Sequence, residues 1–149
     1  MDTLGFGFSD IITSIVTMLG TYTLTKRSEL EKRIEQTIAL VDKLEERACE
    51  YWTGETDECT RQIAETYIKS DFSELNRLIQ HMDEEFFLYK INEALISPSN
   101  AASILELKKS ATSYPFETKD WAVDHERIHN IRRHSSNVKK MIRSGRRGP

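Results

Sequence analysis

The N-terminal 25 residues constrain the architecture of this chain more than any other segment. Between residues 3 and 25 the only charged residue is Asp10, and the basic pair Lys26 and Arg27 follows directly. Leu4–Leu24 comprises 21 residues. A helix of that length, at about 1.5 Å per residue, just crosses a hydrocarbon core of about 30 Å. The sequence therefore predicts a single N-terminal transmembrane helix.

The charges that flank this segment predict its orientation. A cleavable signal peptide carries basic residues before its apolar run, whereas here Asp2 precedes the run and Lys26 and Arg27 follow it. We therefore expect a retained anchor. Because basic residues stay on the cytoplasmic side of a membrane, the prediction is a single-pass protein of the inner (cytoplasmic) membrane, with its N-terminus outside and the remaining chain in the cytoplasm.

Polar side chains inside the segment repeat at helical spacing. They lie three or four residues apart and form one stripe, opposite a face of bulky apolar residues. This polar stripe consists of Asp10, Thr13, Ser14, Thr17 and Thr21. Polar faces of membrane helices turn towards other helices or water. This suggests that the helix self-associates, and a further hypothesis is that the associated helices line a narrow polar pore. In the alternatives, the hydroxyls bond their own backbone in a monomeric anchor, or the helix is amphipathic and lies in the interface or on a protein.

The whole chain, with three prolines, six glycines and 30% charged residues, has a composition that favours an all-α protein. From Ser28 to Trp52 the apolar residues recur every 3.5 positions on average, which is the coiled-coil period. Ser28 and Glu31 are expected to form a capping box, and Gly54 is expected to end the helix. No helix breaker stands between Thr21 and Glu31, so this helix could continue from the anchor.

Further helices are expected along the rest of the chain. One carries Cys59, Ile63 and Tyr67, one begins near Ser73, a short one is capped by Asn100, and the last begins near Thr118. The apolar faces predicted for the third and last helices are Leu75, Leu78, Ile79, Met82, Phe86 and Ile91, and Trp121, Ile128, Ile131, Val138 and Ile142. Short connections predict a small antiparallel bundle. The expected domains are a membrane anchor (1–25), a cytoplasmic helical bundle (26–143) and a basic tail (144–149).

Charge is distributed unevenly. The net charge is −3, but the segment from Arg127 to the end holds eight basic residues and no acid, so residues 1–126 carry −11. The basic residues after Arg127 are Arg132, Arg133, Lys139, Lys140, Arg143, Arg146 and Arg147. Such a C-terminus suits nucleic acid or anionic lipid, and it could also lie across the acidic part of its own chain.

The segment from His125 to His129 reads His-Glu-Arg-Ile-His, a pattern that in zinc peptidases supplies two ligands and a general base. A catalytic zinc site needs a third protein ligand, and no acid follows Glu126. His134 comes at the wrong spacing, which leaves Glu84, Glu85, His81 or Cys49 upstream. We expect a solvated helix flank rather than a metal site, with His125 and His129 as weak candidate ligands.

Cys49 and Cys59 cannot build a disulfide framework or a four-thiolate zinc site, and they are interpreted as packing residues. The aromatic residues Trp52, Trp121, Phe86, Phe87 and Tyr89 are expected to anchor the core. No cofactor and no small-molecule substrate is indicated. The sequence favours a non-enzymatic, membrane-anchored helical protein that acts by self-association or partner binding, as a small membrane effector or a regulatory subunit. The alternatives are a soluble helical module that binds nucleic acid through its basic C-terminus and, third, a zinc-dependent hydrolase.

Overall fold

The computed structural model describes the backbone of residues 8–54, 57–85, 98–118 and 121–144, and the side chains of 12–54, 57–82, 102–118 and 121–144. The described residues form helices and turns without any strand, which confirms the all-α prediction. The helices are α1 (Phe8–Thr53), α2 (Glu58–Glu85), α3 (Pro98–Thr112) and α4 (His125–Ser144). The chain divides into two compact units, Met1–Lys32 and Arg33–Pro149.

Helix α1 is continuous over 46 residues, as the absence of a breaker allowed. The predicted capping box was wrong, because the backbone is already helical on both sides of Ser28. Gly54 does follow the last helical residue and has a positive φ of 80°, the conformation that commonly ends a helix. A Cβ atom at Gly54 would lie 2.5 Å from Cγ2 of Val123, so glycine is required there for space as well as for φ.

The second unit is a helical bundle built around α1, to which both α2 and α4 run antiparallel. Residues later in α1 contact residues earlier in α2, which fixes the opposite direction of the two helices. The contacting pairs are Tyr51–Glu65, Arg47–Asp71 and Thr37–Met82. Helix α4 runs antiparallel to α1 in the same way, through Trp52–Asp124, Glu45–Ser135 and Asp42–Lys139. The predicted bundle is thus confirmed for the described residues.

The apolar repeat of α1 predicts a buried face of Leu30, Ile34, Ile38, Val41, Leu44, Ala48 and Tyr51, and the structure departs from it at Ile38 and adds Thr37, Cys49 and Trp52. Ile34, Val41 and Leu44 are buried as expected, but Thr37 is fully buried while Ile38 is only half-buried. A straight helix turns once every 3.6 residues, so its buried face drifts away from a 3.5-residue repeat. The hydroxyl of Thr37 donates to the carbonyl of Arg33 at 2.8 Å, which makes its burial tolerable. The structure gives no support for a coiled coil.

Helix α2 replaces two of the predicted helices. No break occurs near Ser73, so the predicted start of a helix at that residue was wrong. The predicted face of Cys59, Ile63 and Tyr67 is exposed instead of buried. The buried face consists of Glu65, Ile68, Asp71, Phe72, Leu75, Ile79 and Met82. The predicted positions Phe86 and Ile91 lie outside the described residues.

The two C-terminal helices begin at other residues than predicted. Helix α3 begins at Pro98, before the predicted cap Asn100, which makes that cap wrong. Helix α4 begins at His125 instead of near Thr118. Its buried residues are Ile128, Ile131, Ser135, Val138, Met141 and Ile142.

Candidate functional site

The His-Glu-Arg-Ile-His segment forms the first turn of α4. Asp124 caps this helix, since its carboxylate accepts a hydrogen bond from the backbone N–H of Arg127 at 2.9 Å. The backbone carbonyl of Asp124 accepts the next bond, from Ile128 at 3.1 Å. Asp124 is thus the residue that starts the helix, and not an interruption of an apolar seam that begins at Trp121.

Arg127, in the middle of the motif, joins α4 to two other parts of the bundle. Its guanidinium donates to the backbone carbonyls of Ser113 at 2.8 Å and Tyr114 at 2.9 Å. It also donates to the carboxylate of Asp124 at 3.2 Å and lies 4.2 Å from the centre of the Trp52 ring. Ile128 is buried in the core. Arg127 and Ile128, the central two residues of the motif, therefore hold α4 against the rest of the bundle.

The three residues that could act in zinc chemistry, His125, Glu126 and His129, are all exposed. No group of three His, Cys, Asp or Glu side chains lies close enough to hold a metal ion in the part of the chain that the structure describes. The upstream side chains of Glu84 and Glu85 lie outside that part. The described geometry brings no third ligand to His125 and His129.

The cysteines are free thiols in different environments. Cys59 is exposed, whereas Cys49 is buried between α1 and α4. Burial raises the pKa of the Cys49 thiol, and a hydrogen bond with Arg132 only partly opposes this rise. A thiol with a raised pKa is a poor nucleophile at neutral pH.

An aromatic cluster closes the end of the bundle at which the motif lies. Tyr51 contacts the rings of Trp52, Phe116 and Trp121, with ring centres 4.9–5.9 Å apart. The hydroxyl of Tyr51 donates to the buried carboxylate of Glu65 at 2.8 Å. Burial, together with the neighbouring carboxylate, raises the pKa of Tyr51 to about 12. Trp52 is buried, as the sequence predicted, but the Tyr51–Glu65 pair was not foreseen.

The basic residues of the C-terminus divide into two groups. The ammonium of Lys139 lies between α4 and α1, 2.6 Å from a carboxylate oxygen of Asp42 and 3.0 Å from one of Glu45. Partial burial alone lowers the pKa of Lys139, but the two carboxylates outweigh this effect and raise it. The remaining described members, Arg132, Arg133, Lys140 and Arg143, are exposed. Arg146 and Arg147 lie outside the described residues.

The N-terminal part of α1 exposes large apolar side chains. Between Ile12 and Leu24 seven of them are 47–76% exposed: Ile12, Ile15, Val16, Met18, Leu19, Tyr22 and Leu24. No described helix is long and apolar enough to cross a membrane, so the transmembrane prediction is not confirmed. Residues 4–7 of the predicted span lie outside the described part.

The hydroxyls of the polar stripe bond the helix itself. Thr17 donates to the carbonyl of Thr13 at 2.8 Å, and Thr21 donates to that of Thr17 at 2.9 Å. The side chain of Asp10 lies outside the described residues. After the stripe, Lys26 pairs with Glu29 at 2.9 Å, and Arg27 approaches Glu31 at 3.9 Å.

Comparisons of the chain with protein-family models, with curated proteins and with solved structures find no match.

Proposed function

We propose that this chain is a non-enzymatic, membrane-anchored helical protein in which the N-terminal part of α1 embeds in lipid and the bundle binds a protein partner or another copy. The supporting observation is the run of exposed apolar side chains from Ile12 to Leu24. Among the described side chains of the second unit the large apolar ones are mostly buried, and the exposed ones are Ile63 and Tyr67, one helical turn apart on α2, and the separate residues Leu105, Tyr114 and Val123. The exposed apolar side chains of the described residues are thus most concentrated in the N-terminal part of α1.

The free energy available from covering this segment is considerable. Full burial of a Leu-sized side chain is worth about 1.5–3 kcal/mol, so covering seven half-exposed ones gives roughly 7 kcal/mol. Lipid can cover all of them at once, because the hydrocarbon region accepts apolar side chains without specific packing. A water-exposed segment of this kind would instead promote aggregation.

The polar stripe is compatible with this environment. A hydroxyl group without a hydrogen-bond partner is costly in lipid, but Thr17 and Thr21 each donate to a backbone carbonyl four residues earlier. Such a bond hides the donor within the helix. These hydrogen bonds favour a monomeric anchor over a self-associating one, because the hydroxyls of Thr17 and Thr21 need no partner helix.

The proposal is tested by membrane fractionation of the full chain and of single-residue variants. Val16→Asp places a carboxylate on the apolar face, which costs about 3 kcal/mol near the centre of a membrane helix and reduces membrane partition roughly 100-fold. The matched control is Ile63→Asp, an equally drastic change at an exposed position of α2. We expect the control to remain in the membrane pellet after washes with high salt and at alkaline pH.

A second variant distinguishes a spanning helix from one that lies in the interface. Thr17→Asp changes the polar stripe, which faces water in an interfacial helix and lies in hydrocarbon in a spanning one. Loss of pelleting with both Asp variants supports a spanning anchor, whereas loss with Val16→Asp alone supports an interfacial one. If the unmodified chain stays in the soluble fraction, the proposal fails.

A further inference from the structure

Helix α4 displays a row of basic side chains on its solvent face. We name this set, His129, Arg132, Arg133, Lys140 and Arg143, the basic row. The opposite face of α4 is fixed in the core through Ile128, Ile131 and Val138. The positions form two groups on one face of the helix, 129–133 and 140–143, separated by about two turns, and together they extend for about 20 Å along it.

No described carboxylate forms a direct ion pair with the row, although Arg132 lines a surface pocket together with Glu45, Glu46 and Glu50. The ammonium of Lys139, in contrast, contacts two carboxylates. The only described polar contacts are that of Arg132 with the Cys49 thiol and that of Arg133 with His134 at 3.4 Å. The row therefore presents four permanent positive charges to its surroundings, on a chain whose first 126 residues carry −11.

We infer that the basic row binds anionic phospholipid headgroups at the surface of the membrane in which the chain is anchored. This inference depends on the proposed anchor in its interfacial form, because α1 is one continuous helix and α4, which runs antiparallel to it, lies along the membrane surface only if α1 does. A few charges hold a protein at a membrane only in combination with a second, apolar signal. The row contains no large apolar side chain, and its only aromatic ring is the imidazole of His129. It can therefore lie on headgroups without insertion, and it lacks the series of rings on which successive bases of a single strand could stack.

Lipid fits the row better than nucleic acid does for two reasons. Four charges on an acidic protein give weak binding to nucleic acid at physiological salt. A tethered protein, however, meets the membrane surface at a high effective concentration, so weak contacts suffice. Each Lys or Arg near an anionic surface increases membrane partition about fivefold.

The test is flotation of the full chain with two kinds of vesicle, phosphatidylcholine alone and phosphatidylcholine with roughly 30% phosphatidylserine, the composition that supplies the anionic surface. The first variant, Val16→Asp with Leu19→Asp, weakens the anchor. The second adds Lys140→Glu and Arg143→Glu to reverse two charges of the row. Its matched control adds Lys69→Glu and Lys108→Glu, exposed residues of α2 and α3, to produce the same change in net charge.

We expect the anchor-weakened chain to float with the anionic vesicles only, and high salt to abolish this binding. Reversal of the row should reduce the binding at least 25-fold, as follows from two residues at about fivefold each, and the control pair should reduce it far less. Equal losses with both charge pairs would show a general effect of net charge and overturn the inference.

The two vesicle compositions distinguish failure of the proposed anchor from failure of lipid binding by the basic row. If the unmodified chain floats equally with both vesicles and the anchor-weakened chain floats with neither, the anchor stands and the row does not bind lipid. If the unmodified chain floats only with anionic vesicles, and does so through the row, the anchor fails and the row stands. Tighter binding of a duplex DNA oligonucleotide than of anionic vesicles in the same buffer would assign the row to nucleic acid and overturn the inference.

Discussion

Replacement of Arg127 by alanine should destabilise the protein far more than replacement of either histidine beside it. Arg127 stands between His125 and His129 in a segment that resembles a zinc-peptidase motif, yet its guanidinium contacts Ser113, Tyr114, Asp124 and Trp52. Its side chain is only 14% exposed. The histidines, by contrast, are exposed. The relative cost of the substitutions therefore distinguishes a structural segment from a metal site.

The magnitude follows from the contacts of the guanidinium. It donates to Ser113, Tyr114 and Asp124 and lies over the ring of Trp52. Three hydrogen bonds at about 1 kcal/mol each and a cation–π contact of about 1 kcal/mol give a loss of roughly 3–4 kcal/mol. With a urea dependence of about 2 kcal/mol per molar, the unfolding midpoint should fall by about 1.5–2 M.

The assay is urea unfolding followed by circular dichroism, because the change lies against Trp52 and would disturb its fluorescence. His129→Ala is the control, with an expected change within about 0.5 kcal/mol, as for other exposed positions. A midpoint shift below about 0.5 M for Arg127→Ala would refute the structural interpretation. So would a His129→Ala variant that loses as much stability, especially if added zinc stabilises the unmodified chain alone.

Three further predictions concern the bundle. Gly54→Ala should lose about 2 kcal/mol in urea unfolding, because a Cβ atom there requires a strained φ and meets Val123 at 2.5 Å. The fold raises the pKa of Tyr51 to about 12. The protonated Tyr51 therefore contributes its full stabilisation below pH 10, and the free energy of unfolding falls by about 3 kcal/mol as the pH rises to about 12. This loss should be missing from an alkaline titration of Tyr51→Phe. Asp71→Ala should cost about 3 kcal/mol in the same unfolding assay, because it leaves the half-buried Arg47 without its carboxylate, and an unchanged midpoint would contradict this.

Periodicity predicted the helices correctly but misplaced the buried face of α2. Ile63 and Tyr67 looked like core residues because they are apolar, yet they are about half exposed. Glu65 and Asp71, which carry charge and had no predicted role, are buried. Each carboxylate is accepted in the interior because it meets a donor from α1. That donor is distant in sequence, so no local pattern could have revealed the pairing.

The start of α4 was predictable, and its role was not. Aspartate is a preferred helix cap, so Asp124 could have been recognised as the first residue of the last helix had Trp121 not been taken for part of its apolar face. The contacts of Arg127 with Ser113 and Tyr114 depend on how α3 packs on α4. A motif read along one helix cannot show which of its side chains turn towards a neighbouring helix, and here Arg127 does so while His125 and His129 do not.

The two units differ in the exposure of their apolar side chains, which are mostly buried in the described part of the bundle and exposed between Ile12 and Leu24. In the bundle, the buried side chains of Thr37, Glu65 and Ser135 are hydrogen-bonded, whereas Nε of Arg61 and Nε1 of Trp121 are buried without a hydrogen-bond partner. In the N-terminal part of α1 the hydroxyls are also bonded, but the apolar side chains have no cover. A helix whose polar groups are satisfied and whose apolar groups are exposed is suited to a less polar medium than water. The described part of the bundle already has its own core, so the apolar insertion that we propose is assigned to this part of α1.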